Sequence, residues 1–371
     1  MRIHSRLVLI ALFVAFVVAL PVQAQTATVG TTPPNDSLAT LPDSEVVVYV
    51  NASRILNDAM PRLVPEKELQ KIRDGMDQMK AFTNIDVRNM EFLVLAMRFN
   101  KPSGGKMFPI PEAMFVIRGD FNAAALISMA MMMSDGKLHL EKYGEHSIYT
   151  LKLSDVAGTA ANNPFGAAFS ELAITTLDAS TLAIGNTSYI KSALDAADGR
   201  GRIKSETLTS LLRDSNALIS ITGSPIMAFA KSFGLRMAES SDPNCMTRFG
   251  DYYLALTMGD NVFKISGAMN ADNPDTAGIV KNMLSGLLQQ GKSLVPDKDS
   301  QAMLDQVKLI TEGNEVIVEA TIPQEMAVKA IRDLFEPPLP PKPAATETKV
   351  TTPVVEQKVA KPKPRKHRRR T

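Results

Sequence analysis

One pattern recurs along residues 41–335: an apolar strand, a tight turn, a second strand and then a capped helix. The clearest copies are 171–199, 251–288 and 307–335, where polar or glycine-containing turns separate two apolar runs. Strands joined by such short turns pair antiparallel, because a parallel partner needs a long crossover. The pattern therefore predicts an α+β fold of mainly antiparallel sheet, with helices packed on one face.

Simpler strand–helix units open two stretches of the chain, at 45–60 and at 216–233. Because hairpin–helix units follow each of them, the order predicts two related halves, 41–200 and 213–335. A similar unit at 113–133 places a methionine-rich helix at 121–133.

Capping residues mark the predicted helix ends. One of residues 186–188, and one of Asp272 and Asn273, should cap the helix that follows, since short polar side chains accept free backbone N–H groups. Gly199 is predicted to end the first of these helices. Another amphipathic helix is predicted over 66–80. Its apolar stripe consists of Leu69, Ile72, Met76 and Met79.

The first 24 residues have the three parts of a secretory signal peptide. A short basic start precedes the uncharged apolar run Leu7 to Leu20, and small residues stand at Val22 and Ala24. Cleavage between Ala24 and Gln25 is predicted, with export to the periplasm or beyond. Retention as an N-terminal anchor is the alternative, although the apolar run is shorter than the roughly 20 residues of a bilayer span.

Residues 337–371 form a basic, proline-rich tail. They contain ten Lys or Arg against two Glu and eight of the 23 prolines, with few apolar residues to bury. This composition predicts disorder, and the polar stretch 25–40 is likewise predicted to be a linker. Between the cleavage site and the tail, 29 basic residues stand against 37 acidic ones. An acidic body therefore carries a basic appendage.

The tail is predicted to contact an anionic envelope polymer or lipid surface, because clustered cations are attracted to such surfaces. Its predicted contact residues are Lys361, Lys363, Arg365, Lys366, Arg368, Arg369 and Arg370. Since export separates the chain from nucleic acid, a nucleic-acid partner is not expected. No later segment has the length and apolar character of a transmembrane helix.

Residues 286–293, GLLQQGKS, match the phosphate-loop pattern letter for letter. A working phosphate loop follows a strand and opens a helix. Here an apolar helical stripe precedes the motif, so Gly286 is predicted inside a helix and Gly291 at its C-terminal stop. No nucleotide is therefore expected at these residues.

No catalytic, cofactor or metal site is predicted. His139, Glu141, Glu145 and His146 form the densest group of metal-ligand types, but 137–153 alternates like a hairpin that turns at Gly144-Glu145. On such a hairpin these side chains are expected to divide between the two faces.

The run MAMMM, residues 129–133, raises copper binding as an alternative, since thioether sulfur suits Cu(I). Methionine is also a common core filler, and packing is the simpler interpretation. Cys245 is the only cysteine, so an internal disulfide framework is excluded.

Two stretches, LPDSEVVVYVNASRIL (41–56) and TLAIGNTSYIKSALDA (181–196), resemble recurring segments of exported bacterial proteins of unknown function. The likeness lies in a Leu-Pro-acidic start after a signal peptide and in strand–glycine–helix elements. It implies a location in the bacterial envelope and brings no catalytic residues or cofactor.

Three functions are left open. The first is a non-catalytic, exported, envelope-associated protein whose cationic tail contacts anionic surfaces. The second is a binding module that holds an apolar ligand in a cleft between the two halves, lined by the helix at 121–133. The third is a hydrolase with a site that the sequence does not reveal.

Overall fold

The computed structural model describes residues 35–83, 85–99, 111–134, 136–152, 171–224, 249–294 and 298–335. The predicted signal peptide, its cleavage site, Cys245 and the basic tail lie outside the described residues.

The described residues form twelve strands and ten α-helical segments, and their bounds follow in chain order. The strands are β1 (Val46–Val50), β2 (Met90–Phe99), β3 (Pro111–Gly119), β4 (His139–Tyr143), β5 (His146–Lys152), β6 (Glu171–Asp178), β7 (Thr181–Gly185), β8 (Ala217–Gly223), β9 (Phe249–Met258), β10 (Val262–Ala271), β11 (Lys308–Glu312) and β12 (Glu315–Pro323). The helices are α1 (Asn35–Leu38), α2 (Ala52–Arg54), α3 (Met60–Leu63), α4 (Glu66–Thr83), α5 (Ala123–Met133), α6 (Thr187–Ala197), α7 (Ser205–Leu211), α8 (Pro274–Leu294), α9 (Lys298–Asp305) and α10 (Gln324–Phe335). A π-helical turn (Ile55–Ala59) joins α2 to α3, and a 3-10 turn (Val87–Asn89) precedes β2.

All twelve strands belong to one sheet, in the order β11-β12-β10-β9-β8-β1-β2-β3-β7-β6-β5-β4. Every neighbouring pair is antiparallel. The predicted α+β class and antiparallel sheet are therefore confirmed. The predicted linker is wrong at its end, because α1 lies inside 25–40 and Leu38 is fully buried in the core.

The strands of the two predicted halves occupy separate blocks of the sheet, joined where β1 pairs with β8. Outward from this junction the blocks have a common order, β1-β2-β3-β7-β6 on one side and β8-β9-β10-β12-β11 on the other. In both, a helix-containing connection separates the third strand from the outer hairpin, and another helix follows that hairpin. We call the block that begins with β1 the first block and the block that begins with β8 the second. The hairpin β4–β5 extends the first block only. Two related halves would share this strand order. The relation between the halves itself stays a prediction.

Alternate residues of each strand project to opposite faces of the sheet. We call the face that carries Val47 and Tyr49 the first face, and the face that carries Val46 and Val48 the second. Helices α6 and α7 pack on the first face, in a core that contains Tyr189, Ile190, Leu194 and Leu211. Segments α2–α3, α5, α8 and α10 pack on the second. The described helices thus lie on one face at β10, β11 and β12, as predicted, but on both faces of the first block.

The predicted side-chain cap is confirmed at α8 and wrong at α6, where no side-chain hydrogen bond caps the helix. Asn273 accepts a hydrogen bond from the backbone N–H of Thr276 at 2.9 Å and so caps α8. Asn186 precedes α6 but turns its side chain to the backbone N–H of Ala113, at 2.8 Å. Gly199 follows the end of α6 with a φ of 94°, a left-handed conformation that glycine adopts readily.

The amphipathic helix predicted over 66–80 is α4. Leu69 and Met76 of its stripe are almost fully buried, and Ile72 is partly buried against the same small core as Met76. Met79 is 37% exposed and is therefore not part of that core.

Candidate functional site

The histidine-rich hairpin is present, and its turn lies at Gly144, where φ is 57°. Its register pairs His139 with Thr150, Glu141 with Ile148 and Tyr143 with His146. Directly paired residues share a face, so both histidines and Glu141 lie on the first face together. The prediction that these side chains divide between the faces is therefore wrong, because the two-residue turn keeps 141, 143 and 146 in phase.

This face of the hairpin contacts helix α6 through polar side chains. Lys191 Nζ lies 2.6 Å from Glu141 Oε1, Tyr143 Oη donates to Asp195 at 3.1 Å, and His146 Nε2 lies 3.2 Å from Asp198 Oδ1. The hydrogen bond to Asp195 is the main cause that raises the pKa of Tyr143. These pairs attach the edge hairpin to α6. Within the described ranges, no group of three or more His, Cys, Asp or Glu side chains is arranged to hold a metal ion.

The phosphate-loop match lies entirely within α8, which runs unbroken from Pro274 to Leu294. Gly286 is inside this helix, as predicted. The predicted stop at Gly291 is wrong, because the helix continues to Leu294. Backbone N–H groups inside a helix already bond the preceding turn, so residues 286–293 have no free loop amides to offer a phosphate.

The methionine-rich helix is α5, and it packs on the outer part of the first block. Ala123 and Ile127 contact Leu182, beside Tyr149 and Ile174. Three strands, β1, β2 and β3, separate β7 from the junction with β8. The proposal that this helix lines a cleft between the halves is therefore wrong. Its C-terminal end is exposed at Met131 and Met132, at 42% and 75%.

The structure places a groove elsewhere, on the first face of the second block. Its volume is about 430 Å³. Four elements line it: the loop before β8 and the strands β9, β10 and β12. Its lining residues are Arg213, Asp214, Ser215, Tyr253, Ser266, Gly267, Ala268, Ile317 and Glu319.

An apolar row crosses the floor of this groove. Tyr253 of β9 pairs with Ala268 of β10, Ala268 pairs with Ile317 of β12, and Ile317 pairs with Ile310 of β11. Tyr253 is buried, with 8% of its surface exposed, whereas Ile310 is 39% exposed. The next row on the same face contains Ser266 and Glu319, which are also paired. Apolar and polar rows thus lie side by side on the floor.

Opposite charges border the groove. Arg213 stacks over the Tyr253 ring, with its guanidinium carbon 5.5 Å from the ring centroid, and its Nη1 lies 3.7 Å from Glu315 Oε1. Asp214 accepts a hydrogen bond from the backbone N–H of Asn216 at 2.9 Å, which fixes the turn that carries Arg213. Burial raises the pKa of Tyr253, partly offset by a hydrogen bond from Ser266. The phenol is therefore neutral at physiological pH.

None of these groove residues stands out in the sequence alone. Alternation in β10 and β12 indicates which residues share a face, but the row Tyr253–Ala268–Ile317 depends on the pairing of three strands. Arg213 comes from a loop that reaches this row only in the folded chain. The predicted tail contacts, Lys361 to Arg370, and the cleavage residues Ala24 and Gln25 lie outside the described residues. None of the helices in the described ranges combines the length and apolar character needed to cross a membrane.

No protein-family model matches the chain. A search of the curated proteins likewise finds no match. Among solved structures, crystal form III of TP0453 is similar at a TM-score of 0.43 and 13% identity, over 80% of this chain and 97% of that chain. Crystal form I of the same protein is similar at a TM-score of 0.42 and 13% identity, over 83% and 99%.

Proposed function

We propose that this protein is a non-catalytic, exported protein of the bacterial envelope, and that its basic tail holds it against an anionic surface. The carrying observation is the separation of charge along the chain, with ten basic against two acidic residues in 337–371 and an acidic excess in the body. The signal-peptide pattern of the first 24 residues supports export.

Electrostatics supports retention by the tail alone. Each Lys or Arg close to an anionic membrane contributes about 1 kcal/mol, and salt screens this attraction. The seven cations between Lys361 and Arg370 could thus retain the protein without a folded binding site. The last described helix, α10, ends at Phe335, so the tail can be removed after that residue without shortening a described helix.

The test is co-sedimentation of the mature chain, from Gln25 onward, with vesicles that contain anionic lipid, with neutral vesicles, and with isolated bacterial envelopes. The full chain is compared with a chain truncated at Pro337, each at low and high salt. We expect the full chain to sediment with anionic vesicles and envelopes at low salt only, and the truncated chain to remain in solution. Equal sedimentation of both chains would overturn the proposal.

Two tail variants separate charge from sequence. Replacement of the seven cations by Gln should abolish binding. Replacement of Arg365, Arg368, Arg369 and Arg370 by Lys keeps the charge and should preserve it, because attraction to a lipid surface depends on net charge. Binding to envelopes but not to anionic vesicles would identify an anionic polymer as the partner. Loss of binding in the Arg-to-Lys variant would instead indicate a specific receptor and contradict the proposal.

A further inference from the structure

The groove on the first face combines three features that a small ligand can use at once. Its floor is apolar at Ala268 and Ile317, a guanidinium borders one end at Arg213, and a carboxylate borders the other at Glu319. A volume of about 430 Å³ is within the range of small-molecule sites, roughly 300 to 1,000 Å³. Because both signs of charge are present, the groove suits a zwitterion better than a simple anion or cation.

The spacing of the charges selects the length of the ligand. Arg213 contacts Glu315, and Glu319 is four residues further along the same strand. At about 3.3 Å per residue, the Cα atoms of Glu315 and Glu319 are about 13 Å apart. A peptide of two extended residues spans about 7 Å. One hydrogen bond of about 3 Å at each end brings the total to about 13 Å. A free amino acid is too short to reach both charges.

The end groups of such a peptide match the two borders. The side chain of Arg213 is 57% exposed, and its contact with Glu315 is a 3.7 Å ion pair that leaves guanidinium N–H groups to bind a carboxylate. Glu319 is exposed on β12 and pairs in register with Ser266 and Lys308. Its carboxylate can accept from an ammonium group. Between these ends, the apolar row would contact the peptide side chains.

We propose that the groove binds short zwitterionic peptides with apolar side chains, with the peptide carboxylate on Arg213 and the peptide ammonium on Glu319. This site lies on the folded body, and it does not depend on the proposed role of the tail.

The test is calorimetric or NMR titration of the full mature chain with four probes: the dipeptide Leu-Leu, its N-acetyl form, its C-terminal amide, and Gly-Gly. Leu-Leu should bind saturably. Each blocked form should bind about tenfold more weakly, because it lacks one charged hydrogen-bonding group. Gly-Gly should also bind more weakly than Leu-Leu, because it has no apolar side chains to contact the apolar row.

Two variants assign the ends of the peptide. Arg213→Gln should weaken the binding of Leu-Leu, so that Leu-Leu binds no more tightly than its C-terminal amide. Glu319→Gln should make Leu-Leu bind no more tightly than its N-acetyl form. Glu312→Gln is the matched control, because Glu312 is an exposed carboxylate of the neighbouring strand that does not line the groove. Absence of saturable Leu-Leu binding would overturn the proposal. Equal binding of the blocked and free peptides, or an equal loss in the Glu312 variant, would do so as well.

Discussion

Val48 of β1 lies directly opposite Ile221 of β8, at the middle of the five-pair ladder that joins the two blocks of the sheet. Both side chains are on the second face, in a core with Ala59, Leu63 and Val328. Ala59 and Leu63, which precede β2, thus pack with Val328 of α10, which follows β12, on the junction. The described junction is a continuous β-ladder covered by a packed core. One hypothesis from the sequence had placed a ligand cleft here, between the two halves.

The junction should hold the two blocks together even when the chain is cut. If the mature chain is expressed as two fragments, 25–199 and 200–336, we expect the fragments to copurify, because the ladder and its core bury apolar side chains from both. Val48→Asp should abolish this association, since it buries an unpaired charge. Thr209→Asp adds the same charge at an exposed position of α7 and should not. Fragments that purify separately would contradict the prediction.

The helix that contains the phosphate-loop match should gain stability from alanine. At Gly286 nothing lies within 4 Å of an added Cβ. Gly286→Ala should therefore raise the free energy of unfolding by about 0.5 to 1 kcal/mol, because glycine inside a helix loses more backbone entropy than alanine. A loss of stability, measured by urea denaturation, would contradict the helical assignment.

Gly185 at the end of β7 supplies the opposite case. A Cβ there would overlap the carbonyl oxygen of Ala113 on the neighbouring strand. Gly185→Ala should therefore lower the free energy of unfolding by about 1 to 3 kcal/mol, the range for overpacked positions. The same urea titration, run beside Gly286→Ala, checks it.

Two hydroxyl groups on β8 should respond differently to removal. Ser220 and Thr222 lie on the same face and are each 1% exposed. Thr222 Oγ1 donates to the backbone oxygen of Tyr252 at 3.0 Å, whereas Ser220 Oγ has no hydrogen-bond partner among the described residues. Thr222→Val should cost about 1 kcal/mol, and Ser220→Ala should be neutral or stabilise by about 1 kcal/mol. Thermal denaturation of both variants checks the contrast, and an equal loss would refute it.

Asp86 should make stability depend on acid pH. Burial tends to raise its pKa, but hydrogen bonds from Arg88, at 2.5 Å, and from Lys80, at 2.8 Å, outweigh burial and lower the pKa to about 2. Because the folded pKa is below the unfolded one, the stabilisation is complete above about pH 4 and is lost as the pH falls toward 2.

Asp86→Asn should lower the free energy of unfolding by on the order of 1 to 2 kcal/mol at pH 7 and by little at pH 2. Urea denaturation across this pH range measures the difference. Asp58→Asn is the control, because Asp58 is 46% exposed and lies 3.5 Å from Arg54, as in a surface ion pair of small energy. A constant difference between the Asp86 variant and the natural chain at all pH values would disprove the assignment.

The elements were predictable wherever neighbouring residues define them. The outer hairpin of the second block turns at Gly313, with φ of 57°, and the predicted cap at Asn273 forms because its partner N–H is three residues away. The stop at Gly291 was wrong because glycine favours a helix end but does not impose one, and helix α8 continues through Gly291 to Leu294.

The groove could not be predicted in the same way. Arg213, Tyr253 and Ile317 are far apart in sequence, and each alone is an ordinary loop, strand or core residue. Their convergence follows from the registers of β9, β10 and β12, which no short stretch of sequence contains. The phase of the histidine hairpin, in contrast, follows from its predicted turn, because a two-residue turn at Gly144 and Glu145 pairs Tyr143 with His146 and places both on one face.

The sequence by itself determined the α+β class, the antiparallel hairpins and the acidic body with its basic tail, because periodicity, turn residues and charge are local properties of the chain. The tertiary structure alone decided that β1 pairs with β8, that helices cover both faces of the first block, and that an apolar row is bordered by Arg213 and Glu319. The pairing of β1 with β8 joins residues more than a hundred positions apart, and the groove requires the pairing of β10 with β12 across α8 and α9. Such pairing is selected by the fit of the whole core, and no local pattern encodes it.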